Sequence, residues 1–117
     1  MSETREPRWF HGTRYSFNPG DKLEGGRFPV NQGFGGPPAP HVYYSGRPSV
    51  AMEFADCALD RDGDIREVPR VYEVRPDRSH ERDPDEELRF RSFRAQSAEV
   101  VREVDGRGRP VRRGRSR

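Results

Sequence analysis

Cysteine is almost absent. The single Cys57 excludes a disulfide scaffold and any zinc site built on several cysteines, and it points to a reducing compartment. Apolar residues are scarce as well. Leu, Ile, Val and Phe number 21 of 117, about 18 %, a level at which disorder must be considered. Strong charge of one sign is missing too. The formal charge is only +2, so the chain lacks the self-repulsion that usually accompanies compositional disorder. No apolar run approaches the 18 or so residues of a membrane span, and the opening MSETREPRW has no signal-peptide core. These absences predict one small cytoplasmic domain, monomeric and off the membrane, with a thin core and long loops. Residues 8–111 are expected to fold, with a flexible segment at 1–7 and a disordered Arg-rich tail at 112–117.

The near-neutral charge hides an asymmetry. Residues 107–117 hold six arginines and no acid, which leaves 16 basic against 20 acidic residues in the body, a charge of −4. A nucleic-acid footprint needs a basic face on the folded part, and the body is acidic on balance. The tail therefore reads first as a solvated terminus, and second as a contact for RNA or an acidic partner. Arginine outnumbers lysine 21 to 1, as expected of a GC-rich genome rather than of any one chemistry.

Along the chain, RWFHGT at 8–13 reads as a short strand ending at a glycine. Residues 18–40 contain eleven Gly or Pro, which argues against a helix or a central strand and for a long, functional or irregular connection. HVYYS at 41–45 has the β-branched and aromatic content of a strand. After a turn at Gly46–Pro48, Val50, Ala51, Phe54, Ala55, Ala58 and Leu59 recur at three- and four-residue spacing, which predicts a helix over about 48–59. RVYEV at 70–74 alternates as a half-buried strand should, and HERDPDEE at 80–87 reads as a charged loop. RFRSFR at 89–94, AEVVREV at 98–104 and RPV at 109–111 are strand-like. The order of elements predicts an α+β fold with mostly antiparallel sheet.

Several motifs are incomplete. Gly33-Phe34-Gly35 and Gly106-Arg107-Gly108 open like dinucleotide fingerprints, but no helix follows either. His11, His41 and His80 are too scattered to define a metal site, and lone histidines are usually hydrogen-bonded structural residues.

What remains is His11-Gly12-Thr13 at the end of the first strand and Val42-Tyr43-Tyr44-Ser45 before the helix. With these blocks the chain resembles the rifamycin ADP-ribosyltransferases, bacterial enzymes that share the NAD-binding fold of poly-ADP-ribose polymerases and diphtheria toxin. WFHGTRYSFNPGDKLEGG is similar to that family's aromatic-His-Gly-Thr strand and its downstream Pro-Gly-Asp. HVYYSGRPSVAMEFA, VYEVRPDRSHERDP and RSFRAQSAEVVREV with DGRGRPV resemble its later blocks in order. The likeness spans about residues 8–111. It implies a small split sheet with one main helix and a long Gly/Pro loop. It further implies NAD as co-substrate, no metal, and transfer of ADP-ribose to an acceptor hydroxyl such as a rifamycin, with a role in antibiotic resistance. A protein or nucleic-acid acceptor, as for a toxin, and a module that binds NAD or ADP-ribose without turnover are the alternatives.

The chemistry of NAD fits these residues. Its nicotinamide is a cationic leaving group that departs neutral, through an oxocarbenium-like transition state. A catalyst must grip the carboxamide, stack the ring and place negative charge near the developing cation. The resemblance assigns the ribose hydroxyl to His11, the ring stack to Tyr43 and the carboxylate to Asp83, with backbone contacts from Gly12 and an assisting place at the ribose for Thr13. A cationic ring over a tyrosine gains about 0.5–2 kcal/mol. Plainer readings stand beside these. His-Gly at a strand end is usually a turn, one of Tyr43 and Tyr44 must face a core, and Phe54 on the helix is more often packed than pocket-lining. Glu81, Asp85, Glu86 and Glu87 compete with Asp83 in a loop that otherwise reads as a solvated face.

Overall fold

The computed structural model describes residues 7–26, 40–57, 68–84 and 92–112. Over these the chain runs β1 (Trp9–Thr13), β2 (Lys22–Glu24), β3 (Val42–Tyr44), α1 (Pro48–Cys57), β4 (Arg70–Pro76), β5 (Glu81–Arg82), β6 (Phe93–Ala95) and β7 (Ser97–Val104). All strand pairs are antiparallel, in two sheets ordered β1-β4-β7-β2 and β3-β6-β5. This is a small α+β domain, mostly antiparallel sheet with one helix among the described residues. None of its described helices is long and apolar enough to cross a membrane.

Alternation along the strands divides the core in two. On one face of the four-stranded sheet Phe10, Val71 and Val104 pack under α1, against Ala51 and Met52. On the other, Tyr72, Val74, Ala98, Val100 and Leu23 meet Val42, Tyr44 and Ala95 of the second sheet. Ala98, Val100 and Val104 would all share a face in a regular strand. They do not, because the β4–β7 register jumps between Glu73, opposite Arg102, and Val74, opposite Val100. The extra residue, Val101, is a β-bulge that turns Val104 to the helix while Val100 stays between the sheets.

The helix begins at Pro48, with the Arg47 carbonyl accepting from the amides of Val50 and Ala51. Arg14 donates to the Asp56 carbonyl near its other end, where a cation complements the helix dipole. Val50, Ala51 and Ala55 are buried. The small residues matter because α1 crosses directly over Gly12, where a Cβ would overlap the Ala51 carbonyl. Gly12→Ala is expected to lower stability by about 1–3 kcal/mol through overpacking, measured by urea denaturation. Unchanged stability would mean that helix and strand separate more easily than this contact implies.

Two segments expected to be loop contain strand. Within 18–40, Lys22–Glu24 forms the edge strand β2 against Ser97–Glu99, with Leu23 1 % exposed in the core. An edge position tolerates the flanking glycines that exclude a central strand. Within 80–87, Glu81 and Arg82 pair with Arg94 and Phe93 although neither is apolar, so pairing across sequence overrides local character. Residues 109–111 fold back on β7 through a Val104–Pro110 bridge and a bond from the Val111 amide to the Glu103 carbonyl. The expected helix end at Ala58 and Leu59, the strand at 89–91, the 27–39 part of the long loop, segment 1–6 and the tail from 113 lie outside the described residues.

Candidate functional site

Among the described residues, β1 meets the chain just past β3 at one rung. The Phe10 amide donates to the Ser45 carbonyl at 2.8 Å, and the Ser45 amide to the Phe10 carbonyl at 2.9 Å. An antiparallel ladder continued from there would next join Gly12 to Tyr43. Instead the Tyr43 carbonyl is bonded by His11 Nδ1 at 2.7 Å. Because backbone groups alternate along a strand, the N–H and C=O of Gly12 point the same way as those of Phe10, away from β4 and towards this seam.

His11 itself is turned inward. Its ring is 1 % exposed, on the face of β1 that packs between the sheets opposite Tyr72. A carbonyl partner fixes the proton on Nδ1, so Nε2 is a buried acceptor, and it has no hydrogen-bond partner among the described residues. Burial, only partly opposed by the Tyr43 carbonyl, holds the imidazole below its ordinary pKa. The unfolded chain binds this proton near pH 6.5 while the folded protein resists it, so the His11 contribution is complete above pH 6.5 and is lost as pH falls below it. Asp77, hydrogen-bonded by Ser79 and Ser97, and Asp105, by Arg109 and Arg107, are held below the usual carboxylate range. Their contributions are present above about pH 4 and are lost only as pH falls further. Denaturation midpoints should therefore decline from pH 7 to 5 in the wild type and stay flat over that window in His11→Asn. An equal decline in both would remove His11 as its source.

Tyr43 and Tyr44 separate as alternation requires. Tyr44 is fully buried, with Trp9 edge-on at 5.6 Å and His80 and Phe93 stacked at 5.7 and 6.4 Å. Its hydroxyl lies 2.6 Å from His80 Nδ1 and donates to the Arg94 carbonyl. Burial, with the charges of Asp77 and Glu81, pushes that hydroxyl above its ordinary pKa. Tyr44 is core. Tyr43 is half-buried on the opposite face, edge-on to His41 at 6.0 Å.

The strand register orders the rest of that face. Tyr43 stands opposite Arg94, and Arg94 opposite Glu81. Asp83 lies one step along, in the row of Ser92: its amide donates to the Ser92 carbonyl, and Ser92 Oγ donates to its Oδ2 at 2.9 Å. The structure thus sets His11 against the Tyr43 backbone, with Asp83 two strands from Tyr43 on the same sheet. Thr13 is buried, and its hydroxyl accepts from the Tyr15 amide. Phe54 is half-buried on α1, and Asp85, Glu86 and Glu87 lie outside the described residues. Nothing local to Ser92-Phe93-Arg94 marks Arg94 in the sequence, because its neighbours Tyr43 and Glu81 come from distant segments. A separate surface depression of about 430 Å³, lined by Arg8, Trp9, Glu73, Asp77 and His80 among others, includes none of His11, Tyr43 or Asp83.

Compared with family models and with curated proteins, the chain matches none.

Proposed function

We infer that this domain is an NAD-dependent mono-ADP-ribosyltransferase of the kind the sequence resembles, transferring ADP-ribose to an acceptor hydroxyl, for which a rifamycin is the first candidate. One observation carries the reading: the ladder between β1 and β3 stops after Phe10 and Ser45, with Gly12's N–H and C=O turned to the seam beside Tyr43. That donor and acceptor complement the two ends of a carboxamide. The half-buried Tyr43 supplies the neighbouring aromatic face, and burying a cationic ring there strengthens the attraction. Asp83 is the carboxylate assigned to the oxocarbenium ion, oriented by Ser92. His11 Nε2 is the acceptor assigned to a ribose hydroxyl. Its ring is enclosed, so engagement requires the seam to widen or the ring to turn outward.

Incubation of the protein with NAD and rifampicin, followed by mass spectrometry of both drug and protein, tests this. The expected products are nicotinamide and a drug heavier by one ADP-ribosyl group. Modified protein with unmodified drug would move the acceptor to a macromolecule. NAD binding without nicotinamide release would leave a binding module. Release should persist in EDTA, because a pyridinium leaving group needs no Lewis acid; loss on chelation with recovery on adding zinc or magnesium would overturn that step.

A further inference from the structure

Arg94 has a place that the chemistry above does not use. Elsewhere Arg8 and Arg102 close on Glu73, Arg70 on Glu103, Arg75 on Glu99 and Arg109 on Asp105, all away from the three-stranded sheet. Arg94 is the middle residue of the row Tyr43–Arg94–Glu81 across that sheet. Its Nε donates to Glu81 Oε2 at 2.6 Å. The two partners differ in freedom: the Arg94 side chain is 22 % exposed and that of Glu81 52 %. The carboxylate is the more exposed member, and so the one an incoming anion can displace.

We propose that Arg94 is an anion-binding residue that receives the diphosphate of a dinucleotide whose ring lies on Tyr43, displacing Glu81 from it. This rests on the NAD reading for its ligand. Neighbouring strands are about 4.8 Å apart, so a ligand ring on Tyr43 brings its linked phosphates within reach of the next strand. A guanidinium fork matches phosphate oxygens in geometry, and a diphosphate outbids a single exposed carboxylate in charge. Glu81 is thus a stand-in anion that keeps the arginine satisfied until the ligand arrives, and the ligand's arrival returns a carboxylate to the face that carries Asp83.

Calorimetric titration of the full chain with inorganic pyrophosphate, and separately with ADP-ribose, tests the assignment. Arg94→Met should weaken both by roughly tenfold or more, the loss expected for one charge-assisted pair, with Arg94→Lys between. Glu81→Gln should tighten both by roughly two- to fivefold, because an exposed competing ion pair is removed. A purely structural Arg94–Glu81 bridge predicts the reverse sign for Glu81→Gln, and that result, or no change, overturns the proposal. So does a folded Arg94→Met that binds pyrophosphate like the wild type. If Arg94→Met fails to fold, the Glu81→Gln result decides alone. Pyrophosphate binding with the expected pattern in a protein that never releases nicotinamide would keep the anion site and remove the transferase reading. Nicotinamide release with pyrophosphate affinity indifferent to both variants would do the opposite.

Discussion

Asp83→Asn should slow nicotinamide release by roughly 10²–10³-fold, or about 2.7–4 kcal/mol, while NAD affinity changes little. A carboxylate that faces charge developing only in the transition state contributes there and not in the ground state. Asparagine keeps the shape and can still accept from Ser92 Oγ, which donates to Asp83 Oδ2 at 2.9 Å, so the variant removes charge and leaves the anchor. Single-turnover kinetics with calorimetry separates the two quantities. Full activity in Asp83→Asn together with loss in Glu81→Gln would move the role one step back along the same segment, to the carboxylate in line with Tyr43. Activity in both variants would leave no described carboxylate of this segment catalytic.

His11→Ala should be the more damaging change to the fold, lowering stability by about 2–4 kcal/mol. It leaves a cavity between the sheets and strips the Tyr43 carbonyl of its donor. His11→Asn distinguishes structure from binding, because the asparagine amide can replace Nδ1 but offers nothing at the place of Nε2. Its stability at pH 7 should lie nearer the wild type, and NAD affinity should fall by about three- to tenfold, the value of one neutral hydrogen bond. Urea denaturation and calorimetry on both variants provide the readouts. An asparagine variant that binds NAD as the wild type does would make His11 a structural residue alone.

Much of this architecture is legible in the chain. Val71 to Val74 and Val100 to Val104 carry the β-branched residues of strands, and Val50, Ala51 and Ala55 the spacing of a helix face. The alternation of Tyr43 and Tyr44 along a strand assigns one ring to the core, although it does not say which. Three things are not legible, each because a distant segment decides it. Leu23 alone marks β2, and its burial depends on β7. Glu81 and Arg82 have no apolar pattern at all and pair because β6 is beside them. The bulge at Val101 leaves no local signature, and a strict period of two would put Val104 on the wrong side of its sheet. At the site, an aromatic-His-Gly pattern marks a position in sequence but not its depth, and the enclosure of His11 comes from the second sheet closing over β1.

Among the described residues, Phe10 is where the β1 backbone bonds towards the second sheet, through Ser45, while β1 pairs along its other edge with β4. That gives β1 an awkward history during synthesis. Gly12 must wait for Val71, 59 residues later, before its strand has a partner in the larger sheet. At the roughly 5–20 residues per second of translation, that interval is about 3–12 s. Throughout it the WFHG segment is an apolar strand with an open edge, and the Phe10–Ser45 rung becomes available to it well before β4 does. The smaller pairing is therefore the one that a growing chain can form first, and the four-stranded sheet is assembled onto a strand that is already partly engaged.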